Sequence, residues 1–184
     1  MNYYGPKQMA DAFRTVRKNT LTVANEIPED KYSYKATPDV MSVKELLAHI
    51  AISPMWHVDV HTRKVPHLDF AFFSGRAQKA AAEEKALGTK ADVIKALTEH
   101  GEEFAAFLEG LDEATLASVV TFPESPAAGP TSRTRFDMLL SAKEHEMHHR
   151  AQLMLIQRLL GQVPELTRRR QAMMANREPS TVNR

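Results

Sequence analysis

Three histidines fall within five positions of the stretch KEHEMHHRAQ, residues 143–152. Residues four apart on an α-helix are offset by about 40° and one turn, so His145 and His149 project from the same face. That H-x-x-x-H spacing suits two imidazoles converging on one ion. Neighbouring positions sharpen the reading, because Met138, Ala142, His145, His149, Leu153, Ile156 and Leu160 follow the period of an amphipathic helix. Both histidines therefore share the apolar stripe. Two neutral interior imidazoles need hydrogen-bond partners and two protonated ones repel, and a divalent cation resolves both problems. The alternative is a pair of structural histidines. His148 is rotated by roughly 60° from His145, towards the edge of the stripe, and is a candidate pocket residue. Arg150 is another pocket candidate, with a solvated side chain as its ordinary reading.

A further ligand must come from another helix. His49 is the best placed, since Leu46, His49, Ser53 and His57 lie near the apolar side of a second helical segment. Glu45, one turn before His49, is positioned to orient the ring's other nitrogen if it turns inward. His57 and His61 repeat the four-residue spacing but lie beyond Pro54, and His57 is kept as a pocket candidate. His67 and His100 are isolated, and a structural or exposed role is expected for each. Three histidine ligands suit zinc or nickel first, with iron or manganese as alternatives, and leave coordination positions for water or substrate. The chain has no cysteine, so a metal must be held by nitrogen and oxygen, and any nucleophilic thiol must come from a cosubstrate.

The elements that must position these residues read as helices, which gives an all-α class. The first runs from about Pro6 to Ile27, with Met9, Phe13, Val16, Thr20 and Val23 on one side and Pro28 ending it. The second starts at a capping box, Ser42 with Glu45 three positions later, and continues towards His61, kinked or broken at Pro54. A third spans about Lys90 to Leu111, with Val93, Leu97, Phe104 and Leu108 as core positions. The fourth spans about Ser132 to Leu160 and stops at Gly161 and Pro164. Thr62 to Thr89 forms a long connection, part of which fits a helix, and VVTFPESPAAGPTSRTR is expected to be loop. Two such connections imply a four-helix bundle with at least one crossover.

The 184 residues are enough for one domain with its own core. That domain is assigned to residues 1–165, and 166–184 to a basic C-terminal tail containing Arg168, Arg169 and Arg170. With 24 basic and 23 acidic side chains the formal charge is +1, so no global field draws the chain to nucleic acid or anionic lipid. No stretch has the ~18 uninterrupted apolar residues of a membrane span. MNYYGPKQMADAFRTVRK lacks the order of a signal peptide, and a cytoplasmic location is the expectation.

The segments MSVKELLAHIA at 41–51, after IPEDKYSYKATPD, and LLSAKEHEMHHRAQLMLIQRLLG at 139–161 resemble the two signature segments of the DinB-like family, also described with the YfiT-like metalloenzymes. The similarity in order and spacing covers most of residues 6–165. It implies a four-helix bundle of up-down-down-up connectivity, often a homodimer, with a divalent metal held by His49, His145 and His149. Ala151 stands where the family often has glycine, which keeps a small residue. Pro54 has no counterpart in the pattern. Some relatives resemble thiol-dependent transferases or isomerases and many others have no assigned reaction, so the resemblance points to the metal far more than to a substrate. The leading expectation is a metal-dependent transferase or hydrolase of small molecules that uses a low-molecular-weight thiol cosubstrate. A second reading is a non-catalytic dimeric stress-response bundle with a structural metal.

Overall fold

The computed structural model describes residues 4–124 and 131–176. In chain order it contains α1 (Pro6–Glu26), a 3-10 turn (Glu29–Lys31), α2 (Val43–Ile52), α3 (Met55–Thr62), α4 (Phe70–Ala86), α5 (Lys90–Glu109) and α6 (Glu113–Ala117). Strands β1 (Val119–Thr121) and β2 (Ser132–Thr134) precede α7 (Arg135–Leu159) and α8 (Glu165–Ala175). The chain is mainly helical. α1 and α2 each pack against both α5 and α7, and the stripe residues Met9, Phe13, Val16, Val23, Val93, Leu97, Phe104 and Leu108 are buried between them.

Local chemistry sets the helix ends. The Ser42 hydroxyl accepts the Glu45 amide at 3.2 Å while the Glu45 carboxylate accepts the Ser42 amide at 2.7 Å, the reciprocal box expected at the start of α2. Glu45 is thereby engaged at the cap and does not orient His49. α7 ends in a Schellman motif: Gly161 has φ +80, its amide donates to Arg158, and the Gln162 amide donates to Gln157. Pro54 does not kink one long helix. It ends α2 after Ile52 and caps α3, a position where its missing N–H costs little.

Two departures from the expected elements are local. Val119–Thr121 and Ser132–Thr134 pair as antiparallel strands, so α7 starts at Arg135, with Thr134 as its cap accepting the Asp137 amide. Residues 125–130, within the stretch expected to be loop, lie outside the described residues. The second departure is α8, within a segment to which sequence pattern assigned no element. It is tied to α1 through Glu26, whose carboxylate accepts the Glu165 amide at 2.8 Å and pairs with Arg168.

A buried polar contact crosses the helix interior. Arg17 of α1 forms a two-pronged ion pair with Glu146 of α7, Nε to Oε1 at 3.0 Å and Nη2 to Oε2 at 2.9 Å. The same guanidinium donates to the carbonyls of Leu97 on α5 and Ile50 on α2. Arg17 reaches them over Gly101, where an added Cβ would lie 2.8 Å from Arg17 Cγ.

Candidate metal centre

α2 and α7 pack together and bring His49, His145 and His149 to one point. The Nε2 atoms of His49 and His149 lie 3.2 and 3.0 Å from His145 Nε2, and the three rings meet edge to face. The sequence placed these three on facing stripes, and the fold brings them together half-buried. Among the described residues they form a group with the geometry to share one cation.

The nitrogens pointing away from the cluster decide what faces inward. Glu84 Oε1 lies 2.9 Å from His49 Nδ1. A carboxylate only accepts, so the proton sits on Nδ1 and the Nε2 lone pair is turned to the cluster. Gln152 Oε1 lies 2.8 Å from His149 Nδ1 and does the same for the second ring, while its Nε2 lies 3.2 Å from His148 Nε2. His148 therefore steadies the glutamine that orients His149. For His145, Ser53 Oγ is at 3.4 Å from Nδ1, a long contact.

Two lone pairs thus face the third Nε2, whose single proton could satisfy only one of them. Protonating the rings is opposed. Burial, then the neighbouring His149 and His49, pushes His145 down to about 4, and burial lowers His149 as well. A cation at the meeting point satisfies all three nitrogens, so the donor set fits a divalent metal.

A cavity of about 400 Å³ adjoins the cluster, bounded by His49, Ser53, Trp56, His57, Arg76, Glu84 and His145 with apolar neighbours. α4 supplies one wall: Phe73, Arg76, Ala77, Ala80 and Glu84 recur at helical spacing on a single face. Periodicity had no means of finding Glu84, because α4 has no buried stripe of its own.

The remaining candidates separate. His57 is 3% exposed and lines the cavity; burial, then His61 and His145, holds it down to about 3. His61, 1% exposed, accepts from Arg135 at Nδ1 and is pushed to about 4 by burial and that guanidinium. Both lie deeper than their place beyond Pro54 suggested. His148 is exposed and Arg150 donates to the Val16 carbonyl; neither is among the cavity's lining residues. His67 meets Thr121 Oγ1 and His100 the Ala51 carbonyl, both structural contacts.

Among the described residues no helix is long and apolar enough to cross a membrane. A similar protein, the uncharacterized protein YjoA of Bacillus subtilis strain 168, is 28% identical over 154 residues, covering 84% of this chain and 90% of its own. A crystal structure described as a DinB-like protein, YjoA from Bacillus subtilis, matches with a TM-score of 0.63 at 27% identity, over 85% of this chain and 94% of that one. The DinB superfamily model matches residues 12–153, a span that includes the whole histidine cluster and its carboxylate, and the chain belongs to that superfamily.

Proposed function

We propose that His49, His145 and His149 hold a divalent metal ion, zinc or nickel in first place, and that the protein is a metal-dependent transferase or hydrolase of small molecules. The observation that carries this reading is the convergence of the His49 and His149 Nε2 atoms on that of His145, at 3.2 and 3.0 Å, with the first two fixed as lone-pair donors by Glu84 and Gln152. A bound ion would supply Lewis acidity and favour the anionic form of a coordinated nucleophile. The chain's own groups would do the rest. Glu84 and Gln152 hold the imidazoles in one tautomer, and the apolar cavity wall excludes water from a ligand beside His49 and His145. With no cysteine in the chain, a sulfur nucleophile would come from a low-molecular-weight thiol cosubstrate.

The packing of α1 and α2 on α5 and α7 supports a four-helix bundle in up-down-down-up order, ending near residue 165, as the wider architecture. Family membership supports a homodimer, which sedimentation equilibrium tests.

Untagged protein is expected to purify with about one metal per chain, and to lose it in the His49→Ala/His145→Ala/His149→Ala variant. Unchanged metal content in that variant would reject these ligands. A screen of thiols against electrophilic substrates should then show consumption that requires both the metal and one particular thiol. If a cobalt-substituted sample has no exchangeable coordination position, the metal is structural and the enzymatic reading fails.

A further inference from the structure

Two residues that line the cavity beside the histidine cluster each carry a buried polar atom that makes no hydrogen bond among the described residues. The cavity's walls are mainly apolar, from Ile52, Trp56, Phe73, Ala77, Ala80 and Ala142. Arg76 and His57 interrupt them, and both Arg76 Nε and His57 Nδ1 are buried without a hydrogen-bond partner among the described residues. Such groups are rare because each forfeits its hydration. The Arg76 side chain is only 10% exposed, so bulk water is a poor substitute.

The charge around Arg76 defines what its free N–H can take. Asp59 Oδ2 lies 3.4 Å from Nε without hydrogen-bond geometry, and Glu83 Oε2 is 3.2 Å from Nη1. Lys79 is shared between the same two carboxylates. Two cations and two anions thus cancel, and Glu84 adds a further carboxylate to the cavity wall. The guanidinium needs an acceptor for its hydrogen but no further counter-charge. With Asp59 and Glu83 already neutralised, Glu84 is left to repel a carboxylate ligand, whereas a neutral carbonyl would not be repelled. The volume, about 400 Å³, suits a small ring or branched chain.

We propose that this cavity binds a small, uncharged carbonyl compound, an amide or ester with an apolar body, whose carbonyl oxygen accepts from Arg76 Nε and whose apolar part lies against Trp56 and Phe73. As the substrate pocket of the metal centre this rests on the function proposed above, but the binding itself does not require the ion. His57 offers a second hydrogen-bonding atom for the ligand's polar end.

Trp56 is the chain's single tryptophan and stands on the cavity wall, so its fluorescence reports entry directly. Benzamide, benzoate and toluene are matched probes in size, and are to be titrated into protein freed of metal by EDTA and into zinc-loaded protein. In the metal-free protein benzamide is expected to change Trp56 emission saturably and to bind at least tenfold more tightly than benzoate or toluene. Arg76→Met should bring benzamide down to the affinity of toluene and leave toluene unchanged. Ala80→Leu, which fills the cavity without removing a polar group, should weaken all three probes.

Benzoate binding as tightly as benzamide in the metal-free protein would overturn the proposal, as would equal binding of toluene, or benzamide binding unaffected by Ala80→Leu. These outcomes are read in wild type or in Ala80→Leu and do not depend on Arg76→Met folding. The metal-free ranking also separates the two readings: if it holds while the triple-histidine variant keeps its metal, only the metal assignment falls.

Discussion

Arg17 and Glu146 meet in a two-pronged buried ion pair one residue along the chain from His145, and the same guanidinium bonds the carbonyl of Ile50, one residue along from His49. The two helices that supply the histidine cluster are thus clamped to each other through α1, immediately behind the cluster. A buried pair of this kind is held by geometry as much as by charge, and removing one partner leaves the other charged and unpaired.

Replacing Arg17 with Met should therefore destabilise the protein by about 3–5 kcal/mol, measured by urea unfolding at pH 7. Joint replacement by Arg17→Met and Glu146→Leu should recover much of that loss, because the uncompensated charge is gone. Metal affinity in the double variant should still fall, since the link between Ile50 and the residue after His145 is broken. A double variant with wild-type affinity would show that packing alone aligns α2 with α7.

Gly101 is a second test of the same contact. In an exposed helix interior, Gly→Ala gains up to about 1 kcal/mol. Here the new Cβ would sit 2.8 Å from Arg17 Cγ and 3.2 Å from Cδ, too close unless the arginine moves and loosens its bonds to Glu146 and Leu97. Gly101→Ala is expected to lower stability by about 1–3 kcal/mol, the usual range for overpacking. In an Arg17→Ala background the sign should reverse, and a double-mutant cycle by urea unfolding measures the coupling.

The grouping of His49, His145 and His149 was legible because a helical period of 3.6 residues places these imidazoles and their apolar neighbours on one stripe of each helix. The same rule was blind to Glu146, which is rotated by about 100° from His145 and is 1% exposed only because Arg17, far away in sequence, meets it. It was also blind to Glu84. That residue reaches His49 from α4, whose apolar residues are scattered and which reaches the core only through the partly buried Phe72 and Phe73. Glu45 looked like the better partner, being one turn from His49, but its carboxylate serves the helix cap. Local capping took precedence over the longer-range contact. β1 and β2 were missed because three-residue strands carry too little alternation to register, while at Pro54, where a kink or a break was expected, the structure has the break.

The Glu84 contact makes a quantitative prediction. An orienting partner to a metal-ligating histidine contributes roughly 10- to 100-fold to metal affinity. Glu84→Ala is expected to weaken binding of zinc within that range, by competition with a chromophoric chelator, and Glu84→Gln, which keeps an acceptor oxygen, should weaken it less. Gln152→Ala should show a smaller effect, because a neutral amide holds His149 where a carboxylate holds His49. Equal affinities across wild type, Glu84→Ala and Gln152→Ala would mean that the rings are positioned by packing alone.

His57 and His61 give the metal-free protein a defined response to acid. Their folded values, about 3 and about 4, lie below the unfolded value of about 6.5, so below that pH the unfolded chain binds more protons. The contribution of both residues is fully present above about 6.5 and is lost progressively as pH falls towards 4 and then 3. Other charged or titratable groups face them, Arg135 against His61 and His145 towards His57, and each opposes rather than assists protonation. Most carboxylates remain ionised above pH 5, so the interval from pH 7 to 5 isolates the histidines. Within its lower half each buried histidine should lower stability by up to about 1.4 kcal/mol per pH unit, read from urea midpoints in EDTA. His57→Leu removes one of the titrating groups and should reduce that slope by the share of one histidine, even if its stability at pH 7 has changed. A slope identical to wild type would show that His57 takes up its proton in the folded protein as readily as in the unfolded chain.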